Sequence, residues 1–214
     1  MKALFLATMI LLQSCSNKAA TTSRLQDLPL DQQSPLVQTL AGLSSEELDE
    51  LFQSGQALDF ASIPTRIVGY HRIDERSLAQ PPALHEALVK SFIWRAKIFK
   101  DINTDMPYMV DDTIFSDQHE PLKANVTRGS ASHIFEQRYD LDKPWFNDAI
   151  DSKTSLITAY YSWEYKGVLK PIMKPFRGWF DEYRMVEFDG TSAIIARSYY
   201  EGRFWAHILF DPSL

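Results

Sequence analysis

Residues 179–210 read WFDEYRMVEFDGTSAIIARSYYEGRFWAHILF, and this stretch decides the fold. Asp189-Gly190 is a strong two-residue hairpin signal, because such turns need residues that tolerate positive φ; Glu201-Gly202 is a second, weaker one. The runs they separate, Trp179–Phe188, Ser192–Tyr200 and Arg203–Phe210, are rich in aromatic and β-branched residues suited to a pleated, half-buried surface. Two-residue turns also fix register. Phe188 then faces Thr191, which pairs Val186 with Ala193, Arg184 with Ile195 and Glu182 with Arg197. Across the second turn Tyr199 faces Phe204 and Ile195 faces Ile208.

In that register one face collects Phe180, Val186, Phe188, Ala193, Ile195, Tyr199, Phe204, Ala206, Ile208 and Phe210, and it is expected to be the core. The opposite face carries Asp181, Tyr183, Glu187, Ser192, Ser198, Arg203 and His207. A slip of one residue would exchange the two faces. Three charges share the expected core face: Glu182, Arg184 and Arg197. Buried charges need partners, and Glu182 opposite Arg197 supplies one cross-strand pair. Two readings stand for the group. One is an ion pair at a barrel rim with Arg184 reaching solvent. The other is a polar cluster in an apolar cavity, aimed at the headgroup or carboxylate of an amphiphilic ligand. Glu182, Arg184, Arg197 and Tyr199 are therefore the candidate ligand-pocket residues.

Upstream, shorter runs repeat the pattern: Arg66–His71, Ile93–Asp101, Lys123–Arg128, His133–Tyr139 and Thr154–Ser162. Polar or Pro-containing segments separate them, as in a sequential antiparallel sheet or barrel. Ala83–Ser91 has helical character. Leu36–Leu43 and Glu46–Phe52 read as two short helices, Ser44 and Glu47 forming a capping box for the second and Gly55 a stop. They are expected to pack as a plug or lid on the main domain. The fold class expected is mainly β with short N-terminal helices, an antiparallel barrel of about 8–10 strands.

Such a strand number, helices near the start and a mixed interior resemble the lipocalin-like barrels. Trp94-Arg95-Ala96-Lys97-Ile98-Phe99, Ser155-Leu156-Ile157 and Asp181-Glu182-Tyr183-Arg184 resemble runs of uncharacterised bacterial barrel families. The Gly-x-Trp signature of true lipocalins is absent, and Gly69-Tyr70-His71 stands at the first strand. The resemblance implies a small hydrophobic or amphiphilic ligand in the barrel.

The N-terminus gives an address. Lys2 precedes an uninterrupted apolar stretch, Ala3–Leu12, which fits a signal-peptide core and falls short of the ~20 residues that cross a bilayer. Leu12-Gln13-Ser14-Cys15 follows, ending on the single cysteine of the chain. This stretch resembles the lipobox of bacterial lipoproteins. The resemblance implies diacylglycerol on the Cys15 sulfur, cleavage before Cys15 and acylation (palmitate-type) of the new amine. With Ser16 rather than Asp next, it implies an outer-membrane location facing the periplasm. Residues 1–14 are then a signal peptide, 15–34 a lipidated terminus and flexible polar linker, and 35–214 one barrel-like domain.

Composition limits the rest. A formal net charge of −6 argues against nucleic acid and against electrostatic adhesion to anionic lipid. The 8 glycines leave little room for phosphate-cradling loops. His85-Glu86 starts a zinc-protease pattern that fails at Val89, and the other histidines lack metal-ligand spacing. Asp101-Ile102-Asn103-Thr104-Asp105 alternates oxygen ligands like a calcium loop, with Asp112 at the twelfth position, but Met106 stands where Gly is required. No catalytic residue, cofactor site or metal site is assigned. The expected partners are the bilayer, through acylated Cys15, and a small amphiphile, with no nucleic acid. The main expectation is ligand binding without chemistry. A structural or assembly lipoprotein holding another envelope protein is the alternative, and an enzyme on a lipid-like substrate comes third.

Overall fold

Ser34 and Ser44 begin two helices for the same reason: each hydroxyl accepts the amide N–H that the first turn leaves without a partner. Ser34 accepts from Val37 at 3.3 Å and opens α1, Pro35–Ala41, with Pro at the first position. Ser44 opens α2, Ser45–Ser54, and the capping box is complete, with the Glu47 carboxylate 2.7 Å from the Ser44 amide. Those backbone and side-chain bonds to Ser44 hold the Glu47 carboxyl below its usual value. Gly55 ends α2. A Cβ there would stand 2.9 Å from the Met185 carbonyl oxygen and 2.9 Å from a Val186 methyl, so the chain can pass this close to the barrel only as glycine.

The structure is a computed structural model, and it describes residues 30–60, 63–73, 94–113, 123–129, 154–159, 178–200 and 202–214. Cys15 and the lipobox-like stretch, the helical reading of Ala83–Ser91, the His133–Tyr139 run and most of the stretch read as a linker over 15–34 lie outside these residues. Among the described residues nine strands follow the helices: β1 (Gln56–Ala57), β2 (Arg66–Ile73), β3 (Trp94–Lys100), β4 (Tyr108–Thr113), β5 (Lys123–Gly129), β6 (Ser155–Ala159), β7 (Trp179–Phe188), β8 (Thr191–Tyr200) and β9 (Arg203–Phe210). From β2 to β9 each strand pairs antiparallel with the next, and β9 pairs back onto β2. The result is a closed up-and-down barrel of eight strands, in line with the expected class. β1 is the extra strand. It pairs with Arg184 and Met185 of β7, beyond the point where β6 stops at Tyr183.

β7 and β8 pair in the expected register along their whole length, including Glu182 with Arg197 and Val186 with Ala193. Asp189 and Gly190 take positive φ, 49° and 75°, as a two-residue turn demands. The second hairpin differs. Tyr199 faces Phe204 as expected, but a bulge between Ser198 and Tyr199 shifts the rest, so Ile195 faces Leu209 instead of Ile208. Trp205 is the additional residue on β9.

The bulge re-sorts the faces. Ala206, Ile208 and Phe210 join Ile67, Phe99, Met109, Ala124, Leu156, Tyr183 and Ile194 in a cluster that draws on all eight barrel strands and lines the bore. Val186, Ala193, Ile195 and Leu209 instead pack against Val37, Leu40, Leu48 and Phe52 of the helices. The face expected to be the barrel core on β7 and β8 is therefore the outer wall, covered by α1 and α2. Burial on both faces is the reason: alternation marks a one-sided strand, and it cannot say which of two covered faces is inside. The helices are a clamp on the wall and not a plug in the bore.

β4, Tyr108–Thr113, is a strand that is not among the runs read from the sequence. Asp112 sits within it, paired with Ala96, so the twelve-residue calcium-loop spacing does not close on itself. Among the described residues no group of three or more His, Cys, Asp or Glu is placed to hold a metal ion.

Candidate functional site

Strand alternation places Lys97 on the inner face of β3, beside Asp111 on β4. Asp181 points inward from β7, which lies four strands from β3 in either direction round the ring. These two walls are opposite, yet the Lys97 ammonium is 2.8 Å from Asp181 and 3.1 Å from Asp111. An ion bridge thus crosses the bore. All three side chains are nearly sealed, at 3%, 9% and 1% exposure for Lys97, Asp111 and Asp181.

Asp181 is the hub of this layer. Besides Lys97 it accepts from the hydroxyls of Ser198, Tyr183 (3.1 Å) and Thr158 (3.4 Å). Ser198 in turn accepts from the Trp179 indole N–H at 2.7 Å. Burial pushes the Tyr183 hydroxyl well above its usual value, and the neighbouring Asp181 charge adds to the shift, so Tyr183 stays a donor.

Apolar residues lie on both sides of the polar layer. On the side of the bore nearest the Asp189-Gly190 turn stand Phe99, Met109, Leu156, Ile194 and Phe210, and Leu58, from the segment after β1, packs into the same cluster. Gly69 makes the Phe210 position possible: a Cβ there would lie 2.3 Å from the ring. On the other side Trp179 meets Trp205 edge to face at 4.9 Å and Tyr200 at 5.0 Å, while His71 tilts against Trp205 at 5.8 Å.

The four candidates named from sequence do come together, on the outer wall beneath α2 and not in the bore. Arg184 is fully buried. Its guanidinium donates to Ser155 (2.8 Å), to Glu182 (3.2 Å) and to the Phe52 carbonyl (3.1 Å), and stacks 4.4 Å from the Phe52 ring. Glu182 therefore pairs with Arg184 two residues along its own strand, on the same face. Arg197 reaches Asp49 of α2 at 3.4 Å and lies over the rings of Phe204 and Tyr199. His207 reaches the same Asp49 oxygen at 3.1 Å. Burial pushes the Glu182 carboxyl up, against the pull of Arg184, Ser155 and Arg197. The arrangement pins the helical clamp: Arg184 ties the last turn of α2 to β7, and Asp49 ties its middle to β8 and β9.

Lys97, Asp111 and Asp181 escaped the sequence reading. Asp181 fell on the face read as solvent-facing, and Lys97 alternates with apolar residues like any surface lysine. The available signal was that β7 and β8 lack a polar face continuous enough for water, since Tyr183, Ile194 and Ala196 interrupt it.

The described residues define a class: a closed, helix-clamped, eight-stranded antiparallel barrel, consistent with a lipocalin-like architecture, with one buried ionic layer across its bore. No protein-family model, no curated protein and no solved structure matches this chain.

Proposed function

We propose that the protein is a lipid-anchored binding protein of the bacterial envelope, held to the outer membrane by acylated Cys15, whose barrel takes up a small hydrophobic or amphiphilic molecule without altering it. The observation that supports this is the composition of the bore. Its described lining is aromatic and aliphatic apart from His71 and one compact set of convergent polar groups, Lys97, Asp111, Asp181, Thr158, Tyr183 and Ser198. That combination is the usual build of a small-molecule site, where apolar walls supply affinity and a few fixed polar groups supply orientation. Replacing a buried ionic set by apolar side chains is often neutral or stabilising, so a binding role gives this one a reason to persist.

The alternative is an assembly lipoprotein whose barrel is a solid body that holds another envelope protein. The ion bridge itself favours this reading, because Lys97 and Asp181 meet directly across the bore. Native mass spectrometry of the Ser16–Leu214 form separates the two. A co-purifying small molecule, lost on Asp181→Asn substitution, supports the binding reading. A clean apo mass, with in-cell crosslinks from the barrel wall to an envelope protein, supports assembly.

A further inference from the structure

We infer that Lys97 and Asp181 condense to an amide across the bore, a covalent link between opposite barrel walls, with Asp111 carrying the proton that the reaction must move. This link forms whatever the barrel carries, so it stands apart from the binding reading above. Acyl group, amine and proton carrier meet at one nitrogen. The Lys97 Nζ lies 2.8 Å from Asp181 Oδ2 and 3.1 Å from Asp111 Oδ1, and all three side chains are nearly sealed from water. The Asp181 carboxyl carbon is one bond beyond the oxygen that Nζ touches. Amine and acyl group are thus held as neighbours, which acts as a large effective concentration. Asp181 is also fixed in orientation: the Ser198 hydroxyl holds Oδ1, and those of Tyr183 and Thr158, at 3.1 and 3.4 Å, hold Oδ2.

The step balances without any further reactant. The Lys97 ammonium gives one proton to the Asp111 carboxylate and becomes a nucleophilic amine. Its nitrogen attacks the Asp181 carboxyl carbon, and the charge gathering on Oδ1 is met by the Ser198 hydroxyl, as in an oxyanion hole. The nitrogen then loses a second proton, Asp111 returns the first, and Oδ2 leaves with both as water. A C–N bond replaces the C–Oδ2 bond, and nothing is oxidised or reduced. Burial supplies the drive, because an ion pair that is costly to keep out of water becomes a neutral amide. The link joins positions 84 residues apart, in a chain whose single cysteine excludes an internal disulfide. Closing a loop of that length constrains the unfolded chain.

Tryptic digestion of the denatured full-length chain, read by tandem mass spectrometry, tests this. The expected result is one branched species joining the Lys97 peptide to the Asp181 peptide, lighter than their sum by one water, with no cleavage after Lys97. Asp111→Asn should slow linkage by roughly a hundredfold, the low side of what a positioned acid–base group contributes, so that freshly made chain yields the two peptides unlinked. The unsubstituted chain decides the matter even where Asp111→Asn fails to fold. Separate Lys97 and Asp181 peptides at full mass, with cleavage after Lys97, overturn the link. A branch to Asp111 instead overturns Asp181 as the acyl group, and undiminished linkage in Asp111→Asn overturns the proton-carrying role.

Discussion

Asp181 concentrates more of the structure than any other single side chain. It takes donors from β3, β6, β7 and β8, and its charge answers a lysine that has left water entirely. Lys97→Met removes one partner from a buried set and strands the carboxylates, which costs on the order of 3–5 kcal/mol. Urea denaturation should show that loss, and a variant within 1 kcal/mol of the parent (as an order of magnitude for a surface pair) would mean the bridge is solvated. Glu182 makes the pH prediction. Its folded carboxyl titrates above the ordinary value, chiefly through burial, so the folded state holds its proton more tightly than the unfolded chain. The Glu182 contribution is then fully present below the unfolded value and is lost as pH rises through the folded one. Relative to Glu182→Gln, the parent should lose stability as pH rises from about 4.5, and paired melts across that range check the sign. The charged outer trio was legible from sequence because three charges on an apolar stripe stand out. The inner trio was not, since nothing in β3 or β4 alone distinguishes a side chain facing a bore from one facing water.

At the scale of elements, local chemistry was legible and long-range offsets were not. The capping box at Ser44 and the Asp189-Gly190 turn follow from side chains within a few residues of each other, and both formed as read. The Ser198/Tyr199 bulge answers a tertiary demand. It turns Leu209 outward to meet the helices and lets Ile208 and Phe210 enter the bore. Deleting Trp205 would remove the bulge and keep the other β8–β9 pairings, with Ala206 still facing Ser198 and Leu209 still facing Ile195, so His207 and Leu209 would stay on the outer wall. The expected outcome is a cooperative thermal transition at a lower midpoint, because the buried Trp205 indole is lost; disappearance of the transition would show that the bulge itself is required. The clamp gives a graded counterpart. Phe52 is completely buried between α2 and the wall and stacks under Arg184, so Phe52→Ala should cost about 3–5 kcal/mol. Hydrogen exchange should also speed up in α1 and α2 before the barrel strands, because the cavity opens at their seam.

For the molecule as a whole the proposed function raises the question of what would hold it at a membrane. No helix among the described residues is long and apolar enough to cross one. The outer wall of β7–β9 lies under the helices and carries Glu182, Arg184, Arg197 and His207. A lipid-facing barrel band would be apolar there. The formal charge of −6 disfavours adhesion to anionic headgroups. In the proposed function attachment falls to the N-terminus, where a single acyl chain would bind only marginally and stable anchoring takes two or more, at roughly 0.8 kcal/mol per buried CH₂. The three-chain modification implied by the resemblance to a lipobox would meet that requirement through Cys15. Cys15→Ala should therefore move the protein from the membrane pellet to the soluble fraction while leaving its near-UV circular dichroism and melting temperature unchanged, since the barrel closes through β2–β9 without the terminus. Retention in the pellet of a folded Cys15→Ala chain after a high-salt wash would defeat the anchor, because salt screens charge contacts and only a second hydrophobic attachment would survive it.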